Sequence, residues 1–151
     1  MVRGSCLCRG IQFETAEIPL IVLCHCSMCR KANGAPFESG AAVPSASFKL
    51  IKGGDLIQVY ESSPGTRRAF CRVCGSRAPS KSAEGKFYFV PAGLLDDDPG
   101  VKPALHMFVG SKAPWWEITD DLPQFEEWVP GYGPPRLRSS PRGQPEPLHL
   151  A

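Results

Sequence analysis

The stretch Cys24-His25-Cys26-Ser27-Met28-Cys29 places three thiols within six residues. Cysteines are typically buried, reactive or metal-bound, and crowding this tight favours metal. Zinc–sulfur bonds of ~2.3 Å put tetrahedral ligand sulfurs roughly 3.8 Å apart, so side chains this close in sequence can meet at one ion. A structural zinc takes four ligands, whereas catalytic sites keep three and leave one position for water or substrate. The rest of the chain reads as a scaffold that holds this knuckle.

Working outward, four further cysteines divide into two pairs. Cys6-Leu7-Cys8 precedes the alternating run Ile11-Gln12-Phe13-Glu14. On a strand, residues two apart share a face ~6.8 Å along the backbone, which leaning side chains can close to ligand distance. The alternative is a pair of small buried residues at a strand start. Phe70-Cys71-Arg72-Val73-Cys74-Gly75 has the form of a zinc knuckle, with Gly75 supplying a permissive backbone for the turn. A C-x-x-C is also a redox motif, but no thioredoxin-like βαβ pattern surrounds it.

The seven thiols therefore divide as four plus three. Cys6, Cys8, Cys71 and Cys74 make a closed, formally doubly negative site of structural character, tying the first strand to a distant knuckle. Cys24, Cys26 and Cys29 hold a second zinc whose fourth ligand is water, substrate or a histidine such as His106. Three thiolates make that ion soft, suited to a sulfur ligand from an incoming thiol. Two alternatives stand beside this: both zincs structural, or a single zinc with a metal-free knuckle.

A length of 151 residues suggests one domain, and 42% hydrophobic content is ordinary for a soluble globule. Gly 15 and Pro 16 favour a turn-rich, strand-rich body. Arg136, Arg138, Arg142 and Glu146 carry the whole formal charge of +2 in the tail, leaving a neutral body. That argues against a broad nucleic-acid footprint. No stretch approaches the ~20 apolar residues of a membrane span, and the start carries no hydrophobic signal region. The expected location is the cytoplasm. An odd cysteine count with C-x-C and C-x-x-C spacings points to zinc over disulfides.

Strand-like runs fall at residues 11–14, 20–24, 37–43, 47–51, 56–61, 66–75, 87–90 and 106–109. Arg30–Asn33 reads as a helical turn ended by Gly34, and 122–128 as a short helix near Pro123. Asp96-Asp97-Asp98-Pro99-Gly100 reads as a solvated turn. The spacing predicts a mainly β, antiparallel meander with short helical turns. Residues 1–130 form the zinc-binding domain in this reading. Residues 131–151, rich in Pro, Gly and Arg, form an extended or disordered tail.

Taken together, Gly4-Ser5-Cys6-Leu7-Cys8, Cys24 through Lys31, Phe70 through Ser76 and His106 through Trp115 resemble the glutathione-dependent formaldehyde-activating enzyme family, which includes centromere protein V-like proteins. All seven cysteines fall in order, and the segment Ser111-Lys112-Ala113-Pro114-Trp115 adds specificity. The resemblance implies an all-β, tent-like zinc fold with two zinc ions. Its structural site would be Cys6, Cys8, Cys71 and Cys74, and its catalytic site Cys24, Cys26 and Cys29. It implies carbon–sulfur lyase activity with glutathione as co-substrate, on a small-molecule thiol adduct such as S-hydroxymethylglutathione. Two departures concern the pocket rim. Arg9 stands where family members usually have Gly, and Arg77 where Pro is common.

His25, between two ligands, is expected to turn its ring away from their metal and to orient or pack. Arg30 and Lys31 could offset the negative cluster or hold a substrate carboxylate. Lys112 and Trp115 could line the pocket, although Trp115 and Trp116 also suit an ordinary core. Two rival functions remain: a zinc-stabilised binding module, which predicts a closed second site, and a thiol or zinc redox sensor, which predicts a disulfide among Cys24, Cys26 and Cys29. Oligomeric state is left open.

Overall fold

Short runs of alternating burial organise the chain into strands, as at Val2–Ser5 (β1), where Val2 and Gly4 face inward and Arg3 faces solvent. The computed structural model describes residues 1–130. β1 pairs with Gln12–Thr15 (β2), which pairs with the later strand Phe48–Lys52 (β5), giving a three-stranded antiparallel sheet.

Ile21–Cys24 (β3) and Glu38–Pro44 (β4) lie at the middle of a six-stranded sheet. The third sheet is the hairpin Ile57–Ser63 (β6) with Thr66–Cys71 (β7), extended by Arg77–Ala78 (β8). Ser80–Lys81 (β9) and Phe87–Pro91 (β10) complete one side of the large sheet. Pro103–Met107 (β11) and Gln124–Phe125 (β12) complete the other. Among the described residues, no helix is long and apolar enough to cross a membrane.

The main core joins the first and second sheets. Val2, Phe13, Ile18, Ile21, Ala41, Val43 and Val90 are buried together there. A smaller core beneath the third sheet consists of Cys6, Ile11, Ala69, Cys71 and Ala78, with Leu56 and Ile57 against it. Two of its five buried members are thiols, Cys6 and Cys71, so half of the first sulfur set is built into a packed interior.

The mainly β expectation holds, with four differences. β11 runs parallel to β3, and β12 parallel to β11, so the sheet is mixed rather than a pure antiparallel meander. Parallel neighbours need a crossover, and the long excursion through the other sheets supplies one. The helix expected over 122–128 is absent. Its carbonyls are taken laterally instead: His106 N–H bonds to Pro123 O at 2.8 Å and Phe108 N–H to Glu127 O at 3.1 Å.

The helical turn expected at 30–33 is a helix, Ser27–Asn33 (α1), that begins inside the knuckle and ends at Gly34, whose φ of 60° is left-handed. Cys6 and Cys8 lie in a turn after β1, not on a strand. Arg9 N–H closes that turn onto Cys6 O at 2.7 Å. Arg9 itself adopts a φ of 58°, the region glycine favours, where the family usually has Gly. The tail, 131–151, lies outside the described residues.

Candidate metal centre

The four sulfurs of Cys6, Cys8, Cys71 and Cys74 lie within 4.8 Å of one another. Cys6 Sγ is 3.5 Å from Cys8 Sγ, which is 3.9 Å from Cys71 Sγ across 63 residues of chain. Ile11 N–H points at Cys6 Sγ at 3.3 Å. The second turn is closed by Gly75 N–H to Cys71 O and Cys71 N–H to Ser76 O, both 2.8 Å. Gly75 permits this with a φ of 74°. Ser76 Oγ accepts from Leu7 N–H at 3.0 Å, joining the two turns. Hydrogen bonds from the Ser76 hydroxyl and then its backbone N–H hold the Cys74 thiol down to about 5.

The second set is Cys24, Cys26 and Cys29, again within 4.8 Å of one another. Cys24 ends β3, Cys26 caps α1 and Cys29 lies in its first turn. The cap bond runs from Cys29 N–H to Cys26 Sγ at 3.3 Å. A thiolate accepts such N–H groups well, so a helix-capping sulfur keeps lone pairs that could serve a metal. Hydrogen bonds from the Cys24 and Cys29 thiols hold Cys26 down to about 2. Cys24 is pushed up to about 12 chiefly by Cys26, and Cys29 upward by Cys24 and then Cys26. Three thiolates this close repel one another unless a cation joins them. The donor set thus fits a soft metal, and none of the seven cysteines is in a disulfide.

Among the described residues, no histidine or carboxylate joins the three-sulfur set. His106, the candidate fourth ligand, is occupied elsewhere. Its Nδ1 lies 2.8 Å from His25 Nε2, and its Nε2 lies 3.0 Å from Asp120 Oδ1. With Asp120 ionised, His106 donates from Nε2 and accepts at Nδ1, so His25 donates from Nε2. That leaves His25 Nδ1 as an acceptor, buried without a protein partner. Burial, then the neighbouring His106, pushes His25 down to about 4. Leu122 N–H and then His106 hold Asp120 below the usual carboxylate range.

A buried ion cluster lies beside the set. Glu38 faces Cys24 across the β3–β4 pair. Glu38 Oε1 accepts from Arg77 Nη2 at 3.1 Å, and Oε2 lies 3.5 Å from Arg68 Nη1. Both Nη atoms of Arg68 lie 3.9 Å from Cys29 Sγ. Arg77, expected at a pocket rim, is thus an ion-pair partner. With Glu38, Asn33, Phe37 and Ser76 it also lines a cavity of about 290 Å³.

The four candidate substrate residues are dispersed. Arg30 is engaged, donating from Nε to His25 O and from Nη2 to Ser111 O, both at 3.3 Å. Lys31 is exposed on α1. Lys112 and the exposed Trp115 share a surface cleft of about 470 Å³ with Trp116 and Gln124. Trp116 also packs edge-on against Phe37, at 5.8 Å between ring centroids. The aspartate run at 96–98 is more than a solvated turn, since Asp97 pairs with Arg3 at 2.8 Å and Asp96 accepts from Ser5 Oγ at 3.0 Å.

Sequence reasoning did not find Glu38, Arg68 or Asp120. Each sits far along the chain from its partner, and a lone charged residue carries no periodic signal.

The chain is similar to a Schizosaccharomyces pombe protein named as an uncharacterized lyase, 31% identical over 94 residues that span 61% of this chain and 66% of that protein. A Halomonas elongata protein, provisionally named as a glutathione-dependent formaldehyde-activating enzyme, is 26% identical over 128 residues, 78% of this chain and 81% of that one. The fold resembles the crystal structure of a Rhodobacter sphaeroides protein, with a TM-score of 0.54 at 21% identity, over 65% of this chain and 92% of that one. The sequence profile of one family matches residues 1–111, a span holding all seven cysteines. The chain belongs to the glutathione-dependent formaldehyde-activating enzyme family.

Proposed function

We propose that Cys24, Cys26 and Cys29 hold a zinc ion and that the chain makes and breaks the carbon–sulfur bond of a thiol–aldehyde adduct such as S-hydroxymethylglutathione. The observation that carries this is a sulfur set that ends at three protein donors. Cys6, Cys8, Cys71 and Cys74 hold a second, structural zinc, as the place of Cys6 and Cys71 in a packed core suits. When bound at the three-donor set, zinc supplies a Lewis acid that favours the thiolate form of an incoming or departing sulfur.

The chain's own residues do the rest. The β3–α1 junction fixes the three sulfurs, and the cap bond from Cys29 N–H holds Cys26 in place. In the lyase direction the carbon–sulfur bond breaks with its electron pair on sulfur, the adduct's hydroxyl proton passes through solvent to that sulfur, and formaldehyde and the thiol leave. Lys112 offers a cation and Trp115 an apolar face in a shared surface cleft, chemistry that suits a peptide-like thiol carrying carboxylates. Lys31 is the exposed cation of α1, whereas Arg30 orients the knuckle through His25 O. Seven unpaired cysteines suit a reducing compartment, the cytoplasm.

The test loads the full chain with zinc and follows glutathione, formaldehyde and their adduct by NMR exchange. The loaded chain should accelerate the exchange. Cys26→Ser should lose at least about 100-fold of it, since even outer partners of a metal ligand change activity 10–100-fold. A two-ion chain that leaves the exchange at its uncatalysed rate overturns the reading in favour of a binding or sensing module.

A further inference from the structure

Arg68 has no role in the lyase reading above, yet its guanidinium is aimed at that site. Both Nη atoms lie 3.9 Å from Cys29 Sγ. Its Nε donates to Ser62 Oγ at 3.0 Å, and Nη1 lies 3.5 Å from Glu38 Oε2. Arg77 approaches Glu38 from the other side at 3.1 Å and also donates to Ala69 O at 3.0 Å. The side chains of Arg68, Glu38 and Arg77 are 12%, 2% and 14% exposed.

Two guanidiniums and one carboxylate leave a net charge of +1 largely shielded from water. A buried charge is costly unless an anion compensates it. Among the described residues no second carboxylate pairs with either arginine. The group facing the surplus is the Cys29 sulfur. Three thiolates around a divalent ion carry a formal charge of −1, which matches that surplus in sign and size.

We propose that Arg68 is a positioning residue of the three-thiolate centre. Its guanidinium supplies the outer hydrogen bonds and the compensating charge for Cys29 Sγ, while Glu38 and Arg77 hold it in place. The proposal rests on the metal reading above. Hydrogen bonds from outside a metal's ligand shell orient the ligand and strengthen its hold on the ion, so Arg68 raises metal affinity. The same cluster ties the two sulfur sets together. Arg68 lies three residues before Cys71 and Arg77 three after Cys74, while Glu38 faces Cys24.

The test is metal release from the full chain, read spectroscopically with a chromogenic chelator, beside thermal melting and the sulfur-to-metal charge-transfer band of the cobalt-substituted protein. Wild type should hold two ions that leave at distinct rates. Arg68→Gln should bind the faster-leaving ion 10–100-fold more weakly and shift its charge-transfer band, with the slower ion unchanged. Arg68→Lys, which keeps the charge without the fork, should recover part of the loss. Ser62→Ala, which frees Arg68 Nε and removes the exposed bond from the Ser62 hydroxyl to Thr66 O, should act in the same direction and more weakly, giving a readout if Arg68→Gln fails to fold. A wild-type chain holding one ion overturns the metal reading and this inference with it. A two-ion wild type with both ions released at unchanged rates from Arg68→Gln and Ser62→Ala overturns the inference alone. Equal loss of both ions does so too, because it marks a purely structural arginine.

Discussion

The two sulfur sets are built from the same side chain in different surroundings, and the proposed function gives them opposite purposes. The four-sulfur set joins turns 63 residues apart, and its Cys6 and Cys71 belong to a hydrophobic core. The three-sulfur set is local, confined to one strand end and the first turn of one helix, with arginine chemistry at its back. A site that closes a long loop and fills a core contributes to folding. A site that closes almost no loop contributes little to folding and is free to be shaped for ligand exchange. The contrast lies in topology and charge, since the donors are all thiols.

The largest expected effect probes the first side of that contrast. Cys71→Ser removes a fully buried sulfur from both the core and the four-donor set. Thermal or denaturant unfolding should show a loss of more than about 5 kcal/mol, the scale on which structural zinc couples to folding. Little change would mean that the set does not organise the fold.

Glu38→Gln comes next. It leaves Arg68 and Arg77 buried without their shared carboxylate, and removing one partner of a buried ion pair costs about 3–5 kcal/mol. Denaturant unfolding measures this, and release of the less tightly held metal ion should quicken in the same variant. Cys26→Ser should do the reverse of Cys71→Ser. Exchange activity should fall at least about 100-fold, or about 2.7 kcal/mol of barrier, while melting stays near wild type. A large loss of stability with Cys26→Ser would erase the distinction between the two sets.

The sulfurs were legible in the sequence because C-x-C and C-x-x-C spacings are local, and metal geometry constrains them tightly. The strand runs were legible for a similar reason, since period-two burial is written residue by residue. What stayed hidden depends on pairings that sequence spacing does not encode. Pro123, Glu126 and Glu127 give their carbonyls to the 106–110 segment, which displaces the helix that local composition suggests at 122–128. The parallel edge follows from the same returning segment. Glu38, Arg68 and Arg77 each look like solvated charges until the folded chain brings them together. Arg77 shows how a departure from a family's usual residue can mark a structural partner, here for Glu38.

Two smaller effects refine the account of the four-sulfur side. Arg9 holds a left-handed φ of 58° in the turn carrying Cys6 and Cys8. Arg9→Gly should relieve strain and raise stability by up to about 1 kcal/mol in a thermal melt. Asp97, hydrogen-bonded and paired to Arg3, is held down to about 2 from a usual 3.8. Its contribution is present above the usual value and is lost as pH falls through about 2. Asp97→Asn should therefore flatten the pH dependence of stability between roughly pH 4 and pH 2, weakly, because the pair is solvent-exposed.

The central claim is that the four-thiol centre is complete, whereas the three-thiol centre keeps a position for an incoming thiol. The most direct measurement titrates the cobalt-loaded full chain with glutathione while recording its charge-transfer spectrum and metal content. The account predicts two ions per chain, only one of which changes its spectrum on thiol addition, with that response abolished by Cys26→Ser. Two spectrally inert ions, or identical responses from both, would contradict it.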